Sequence, residues 1–229
     1  MKLSFMHFIT NTISDLSEYV VLEHKYNMVE LRKRVNILVI DDNDFFELDF
    51  LRHNGYQITH KKDIDSIKDV EPYEIIMCDI GGVGKNLGYE LEGATIIKEI
   101  KASYPIKQII AYSSNTYNAD YNKYFSIADD VVTKDISIDD WMSILDNNIR
   151  ISINPIFVWE KIRSYYLEHN VSTLTIAKIE DKYVKAIKKK DYSILIGSIK
   201  ENEFDVKSIL MDFTTSLCAK LILGKFGGV

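Results

Sequence analysis

The sequence predicts an α/β protein: a doubly wound (βα)5 parallel sheet, preceded by a helical extension and followed by a small all-α unit. Three observations carry this prediction. Five short runs rich in β-branched and aromatic residues recur between residues 35 and 134. Amphipathic stretches with apolar residues at helical spacing separate them. The strand candidates are apolar almost throughout rather than alternating, as expected of a parallel sheet covered on both faces.

In chain order, residues 1–34 hold Phe5, Phe8, Ile9, Ile13, Leu16, Val20 and Leu31 at roughly helical intervals and close on Arg32, Lys33 and Arg34, which reads as one or two amphipathic helices. The strand candidates are VNILVID (35–41), YQITH (56–60), EIIMCD (74–79), QIIAYSS (108–114) and DDVVTK (129–134). Helices are expected between and after them at 44–54, 62–69, 93–103, 117–127 and 137–148, with Gly55, Pro105 and the run from Ser137 to Asp139 as stops and caps. Beyond Ile151 no strand pattern appears, and helices are expected over 156–169, 174–190 and 204–223. The expected domains are therefore 1–34, 35–150 and 151–229. In a doubly wound sheet, ligands bind outside the carboxyl ends of the strands, which says where chemistry should be sought.

Composition narrows the function classes. With 229 residues, 46% hydrophobic, 27% charged and only 10 Gly and 3 Pro, the chain can bury a substantial core. The sequence contains no charge-free apolar stretch of membrane-spanning length, and the first residues lack a basic start, a continuous apolar block and a small-residue cleavage site. A cytoplasmic protein without a membrane span is expected. Cys78 and Cys218 lie in apolar surroundings without CxxC or Cys/His spacing and read as reduced core thiols. The net charge of −6 is unevenly spread: residues 1–35 carry +1, residues 36–150 carry −10 (11 basic against 21 acidic) and residues 151–229 carry +3. The acidic middle repels phosphate backbones and is suited to holding a divalent cation.

The ends of the predicted strands are the informative positions. The first ends in Asp41 and Asp42, the third in Asp79, the fourth in Ser113 and Ser114, and the fifth in Lys134. A parallel sheet brings these ends to one edge, where three converging carboxylates are tolerable only beside a cation. Oxygen-only ligands with open positions suit Mg²⁺. A carboxylate beside such an ion, with a hydroxyl and an ammonium nearby, is a phosphoryl-transfer constellation. Taken singly, an Asp at a strand end is often only a helix N-cap, as Asp44 or Asp139 could be.

The ordered set ILVIDDN, IIMCD, IIAYSS and DDVVTKD resembles the receiver domain of two-component response regulators over residues 35–150. The resemblance implies a flavodoxin-like sheet of order 2-1-3-4-5, Asp79 as phosphoacceptor, Asp41 and Asp42 as the acidic pair holding Mg²⁺, and Gly81 as donor of a metal-binding backbone carbonyl. It implies Ser113 as the switch hydroxyl, Lys134 as the phosphate-binding lysine, and a histidine kinase as phosphodonor. Such a domain assists its own phosphoryl transfer and is not a turnover enzyme. Three positions depart from the family pattern: Asp135 follows Lys134 where Pro is usual, Val131 stands where an aromatic switch residue is expected, and the segment from Gly81 to Glu92 is long and glycine-rich, a candidate lid or partner contact. Its GGVG is not a phosphate-binding loop, because Gly84 and Lys85 are followed by Asn86.

Alternative readings follow from the same residues. Asp42-Asn43-Asp44 is a DxD pattern that fits a haloacid-dehalogenase-like phosphohydrolase with Asp42 as nucleophile, but that assignment leaves Asp79 without a role. A pseudo-receiver serving only as an interaction module fits the three departures and is opposed by the intact acids, Ser113 and Lys134. A DNA-binding output would need a helix-turn-helix within VSTLTIAKIEDKYVKAIKKKD. There Ile176, Ile179, Tyr183 and Ile187 form an apolar stripe, and Lys178, Lys182, Lys185 and Lys188 to Lys190, offset by Glu180 and Asp181, read as the opposite, solvated face, so nucleic acid is not favoured. A phosphorylation-gated protein-interaction output, with the N- and C-terminal helices serving a homodimer or another protein partner, is the expectation that remains.

Overall fold

The computed structural model describes residues 10–21, 26–114, 125–199 and 204–224. The chain divides into two compact units, Glu23–Ile153 and a second assembled from Met1–Leu22 and Asn154–Val229. The segment expected as one N-terminal extension is thus divided: a 3-10 helix, Ile13–Val21, belongs to the second unit, and helix α1, Met28–Arg32, to the first. Phe5, Phe8 and Ile9 lie outside the described residues.

The first unit is built on a five-stranded, all-parallel sheet of order β2-β1-β3-β4-β5, the doubly wound topology expected. Its strands are β1 Asn36–Ile40, β2 Gln57–Lys61, β3 Ile75–Asp79, β4 Gln108–Ser113 and β5 Asp130–Thr133. Register aligns the strand ends: Ile40 pairs with Cys78, Asp79 with Tyr112, and Ser113 with Thr133. Helices α2 Leu48–His53, α3 Glu92–Ser103 and α4 Ile138–Ile153 connect or follow them. One face of the sheet buries Leu38, Ile40, Ile76, Cys78 and Ile109 against Ile96, Ile97 and Ile100 of α3. On α4, Trp141, Leu145 and Ile149 are buried at helical spacing. Arg32 of α1 clamps Asp146 of α4 through Nε (2.8 Å) and Nη2 (2.6 Å), and the Tyr56 hydroxyl donates to the same carboxylate at 2.6 Å. That is a partly buried bidentate pair, the strong form of an ion pair.

Two expected helices of this unit are shorter than their apolar spacing suggested. The stretch 44–54 becomes helical only from Leu48, and 62–69 yields only the 3-10 turn Ile67–Val70, started by Ser66 accepting from the Lys68 amide. Asp63 preceding that turn uses its carboxylate on the Ile64, Gly84 and Asn86 amides, bonds that replace a helical start. The helix expected over 117–127 lies largely outside the described residues.

The second unit is helical: α5 Pro155–Glu168, α6 Thr173–Lys189, α7 Ser193–Ile199, α8 Phe204–Thr215 and α9 Leu217–Leu223. Asn154 caps α5 ahead of Pro155 at the first helical position, and Ser172 caps α6. The single helix expected over 204–223 is broken because Ser216 accepts from the Ala219 amide and starts a new one. Trp159, Tyr183, Phe213 and Tyr192 pack ring against ring in the core. The 3-10 helix Ile13–Val21 packs on α5 and α6, with Leu16 fully buried. Asp181, expected on the solvated lysine face of α6, is instead 2% exposed. Its Oδ1 accepts from the Thr10 and Asn11 amides, each at 3.0 Å, and its Oδ2 from Lys185 at 2.6 Å. Glu180 is likewise engaged, accepting from the Ile13 amide at 2.8 Å and from the Trp159 indole at 3.1 Å. Among the described residues, no helix is long and apolar enough to cross a membrane.

Candidate functional site

The carboxyl ends of β1 and β3 place Asp41, Asp42 and Asp79 together, with a ligand atom of each within 4.8 Å of the others. It is the acidic cluster of that kind among the described residues. The reason is topological: β1 and β3 are hydrogen-bonded neighbours, so side chains that close the two strands meet at one edge. Lys134, the residue after β5, reaches back to the same edge, its Nζ donating to Asp41 Oδ2 at 2.8 Å and to Asp79 Oδ2 at 2.5 Å. Asp41 is 2% exposed and Asp79 6%, whereas Asp42 is half-exposed and faces Lys85 at 3.9 Å.

Electrostatics separates the two buried acids. Burial alone would raise Asp41, but Lys134, the Asn43 amide (2.9 Å from Oδ1) and the Tyr112 hydroxyl (2.9 Å from Oδ2) together hold it below the ordinary carboxylate value. Asp79 moves the other way: burial raises it, Lys134 offsets only part of that, and the Asp41 charge adds to the rise. Lys134 is raised, because the two carboxylates outweigh the burial that would lower it. Two acids are thus held unlike by one shared ammonium.

The remaining expected residues lie at this edge in different relations to the acids. Ser113 closes β4 one residue beyond the partner of Asp79, and its carbonyl accepts from the Lys134 amide at 3.1 Å. Gly81 lies two residues after Asp79, its amide donating to Asp79 Oδ1 at 3.3 Å. Val131 on β5 is 40% exposed. The long glycine-rich segment is anchored rather than open: Val83 is fully buried, the Gly84 and Asn86 amides donate to Asp63, and the Gly82 amide donates to Glu92 at 2.8 Å. Two glycines have steric reasons. A Cβ on Gly93 would lie 1.8 Å from the Asp79 carbonyl oxygen, because the start of α3 rides directly on the end of β3. Gly82 has φ +85° and its Cβ position falls on the Asp42 carboxylate.

Sequence reasoning missed Tyr112, Asp63 and Glu92. Tyr112 carried a signal, since it is an aromatic residue with a polar end directly after the aliphatic run Ile109–Ala111 and one position before Ser113. Asp63 and Glu92 had none, because their partners are loop amides whose direction depends on the folded path of residues 81–91.

The donor set fits a hard divalent cation: three carboxylates, two of them buried, with the half-exposed Asp42 open to solvent. No family model and no curated protein matches the chain. Solved structures resemble it over about half to two thirds of its length. A CheY-like response regulator receiver domain protein from Methanospirillum hungatei matches at 16% identity and TM-score 0.43, covering 52% of this chain and 95% of its own. The receiver domain of NtrX from Brucella abortus matches at 22% identity and TM-score 0.42, covering 50% and 98%. A response regulator from Thermotoga maritima, TrrA, solved with Mg²⁺ and BeF, matches at 18% identity and TM-score 0.40, covering 50% and 98%.

Proposed function

We propose that residues 35–150 are a phosphoacceptor receiver and that the helical unit, 151–229 with the N-terminal segment, is its output. The observation that supports this reading is the convergence of Asp41, Asp42, Asp79 and Lys134 from three strand ends on one edge of a 2-1-3-4-5 sheet. Asp79 is the nucleophile. One of its oxygens forms the new bond to phosphorus while the donor's phosphorus–nitrogen or phosphorus–oxygen bond breaks, its electron pair leaving with the donor, which takes up a proton. Asp41 and Asp42, with the Gly81 carbonyl and Asp79 itself, are the residues that hold Mg²⁺. When bound, that ion supplies positive charge against the acids and the phosphoryl oxygens. Lys134, already hydrogen-bonded to Asp79, is placed to pair with the transferred group, and Ser113 is the hydroxyl at the same edge. The donor is a histidine kinase or a small phosphodonor, and the chain is a switch rather than a turnover enzyme.

The output is a protein interaction. Phe157, Leu167, Leu174 and Met211 expose apolar surface on the helical unit, and Lys185 of α6 is paired with Asp181 within it. A second reading, a receiver used without phosphorylation, is favoured by Lys134 bridging Asp41 and Asp79 so closely that the buried acids are partly neutralised by the chain itself.

One experiment separates the two. Intact mass after incubation with Mg²⁺ and a small phosphodonor should show one phosphate adduct on the wild type and none on Asp79→Asn. An unlabelled wild type, under conditions that label a control receiver, would overturn the phosphoacceptor assignment in favour of the second reading.

A further inference from the structure

Resting on the reading that the acidic edge binds a divalent cation, we infer that Tyr112 is a positioning residue. It fixes the Asp41 carboxylate as a cation ligand and links that ligand to helix α4 through Trp141. The Tyr112 hydroxyl donates to Asp41 Oδ2 at 2.9 Å in a wholly buried contact. Asp41 Oδ1 is held by the Asn43 amide. Oδ2 also accepts from Lys134, which it shares with Asp79. The two donors on Oδ2 differ in kind. Lys134 is charged, repels an arriving cation and has Asp79 as another partner, so it is the donor that gives way. Tyr112 is neutral and buried, and a carboxylate oxygen has lone pairs for both a phenol and a metal ion. Carboxylates that ligate metals are in turn hydrogen-bonded, and loss of such a partner costs about 10- to 100-fold in affinity.

The ring of Tyr112 makes the second connection. Lys134 Nζ lies 5.1 Å from its centroid. Tyr112, Phe45 and Trp141 form an edge-to-face triangle with centroids 5.6 to 6.2 Å apart. Trp141 sits in the first turn of α4, is 1% exposed, and its indole N–H has no hydrogen-bond partner among the described residues. Its orientation is therefore set by ring packing rather than by a hydrogen bond, so a displacement of Tyr112 is felt by the indole.

The test is Mg²⁺ binding by the full chain, measured calorimetrically for the wild type and for Tyr112→Phe, Trp141→Phe and Asp41→Asn. Asp41→Asn should lose binding. Tyr112→Phe, which keeps the ring, should bind about tenfold more weakly. Trp141→Phe, which keeps a ring in the triangle, should bind as the wild type does. Tyr112→Phe within twofold of wild type, or Trp141→Phe weakened as much as Tyr112→Phe, would overturn the assignment. Trp159→Phe leaves Trp141 as the only indole. In that background saturating Mg²⁺ should shift the Trp141 emission, and adding Tyr112→Phe should abolish the shift; an equal shift in both would remove the link to α4. A wild type that takes neither Mg²⁺ nor phosphate overturns the receiver reading and this inference together. Normal Mg²⁺ binding and labelling in both wild type and Tyr112→Phe overturns the inference alone.

Discussion

Asp79 in the sheet unit and Asp181 in the helical unit are buried almost equally, at 6% and 2% exposure, and are held in opposite ways. Asp79 sits beside other acids, shares one ammonium with Asp41 and has a single long amide contact at 3.3 Å; burial raises it. Burial also raises Asp181, but Lys185, the Asn11 side chain and the Thr10 and Asn11 amides outweigh it and hold it far below the ordinary carboxylate range. Between these two carboxylates, both shielded from solvent, the supply of donors and of neighbouring charge sets the direction of the shift. A carboxylate left short of donors is available for chemistry, and one saturated with them is a structural pin. That pin ties an N-terminal segment to a helix 170 positions away.

The largest effect is expected at Asp181. Asp181→Asn should destabilise the helical unit by about 3 kcal/mol, because it strips the charge from a buried, fully donated site. Because Asp181 is depressed in the folded state, its contribution is complete above the ordinary carboxylate value and is lost as pH falls through the folded value. Denaturation midpoints between pH 7 and pH 2 should therefore fall less steeply in Asp181→Asn than in the wild type. Equal acid slopes would show that Asp181 is not the pin.

In the sheet unit, Gly93→Ala tests the contact between α3 and β3. A methyl group against the Asp79 carbonyl should cost the sheet unit about 2 kcal/mol, read in a Trp159→Phe background as a lower urea midpoint followed by Trp141 emission. An unchanged midpoint would mean that α3 can slide without loss.

The smallest effect has the opposite sign. Asp79 is raised in the folded state, so its favourable contribution belongs to low pH and is lost as pH rises through the folded value. Asp79→Asn should accordingly stabilise the chain at pH 7 by about 1 kcal/mol, the behaviour of a site that trades stability for function. A destabilised Asp79→Asn would place Asp79 with Asp181 among the structural carboxylates.

Much of the sheet unit was legible in the sequence. β-Branched runs ending in Asp41, Asp79 and Ser113 announced parallel strands and the edge at which they close, and β2 begins only one residue from its expected start. The acidic cluster was legible for the same reason. Local rules failed where a residue's bonds run to distant loops: Asp63 turns its carboxylate to the 81–91 segment, and the expected helix at 62–69 shrinks to a single turn. On α6, charge periodicity put Asp181 with the lysines, because nothing local marks the N-terminal amides that it captures.

By itself the sequence determined that the chain would build a parallel sheet and which acids and lysine would close its strands. Strand order and side-chain type settle that much once the hydrophobic pattern is in place, whatever the details of packing. Only the tertiary structure decided what each polar group meets: Tyr112 finds Asp41 across 71 positions, and Asp181 finds Thr10 across 171. Hydrogen bonds act over about 3 Å and depend on direction, so their partners exist only after the chain has brought remote segments together.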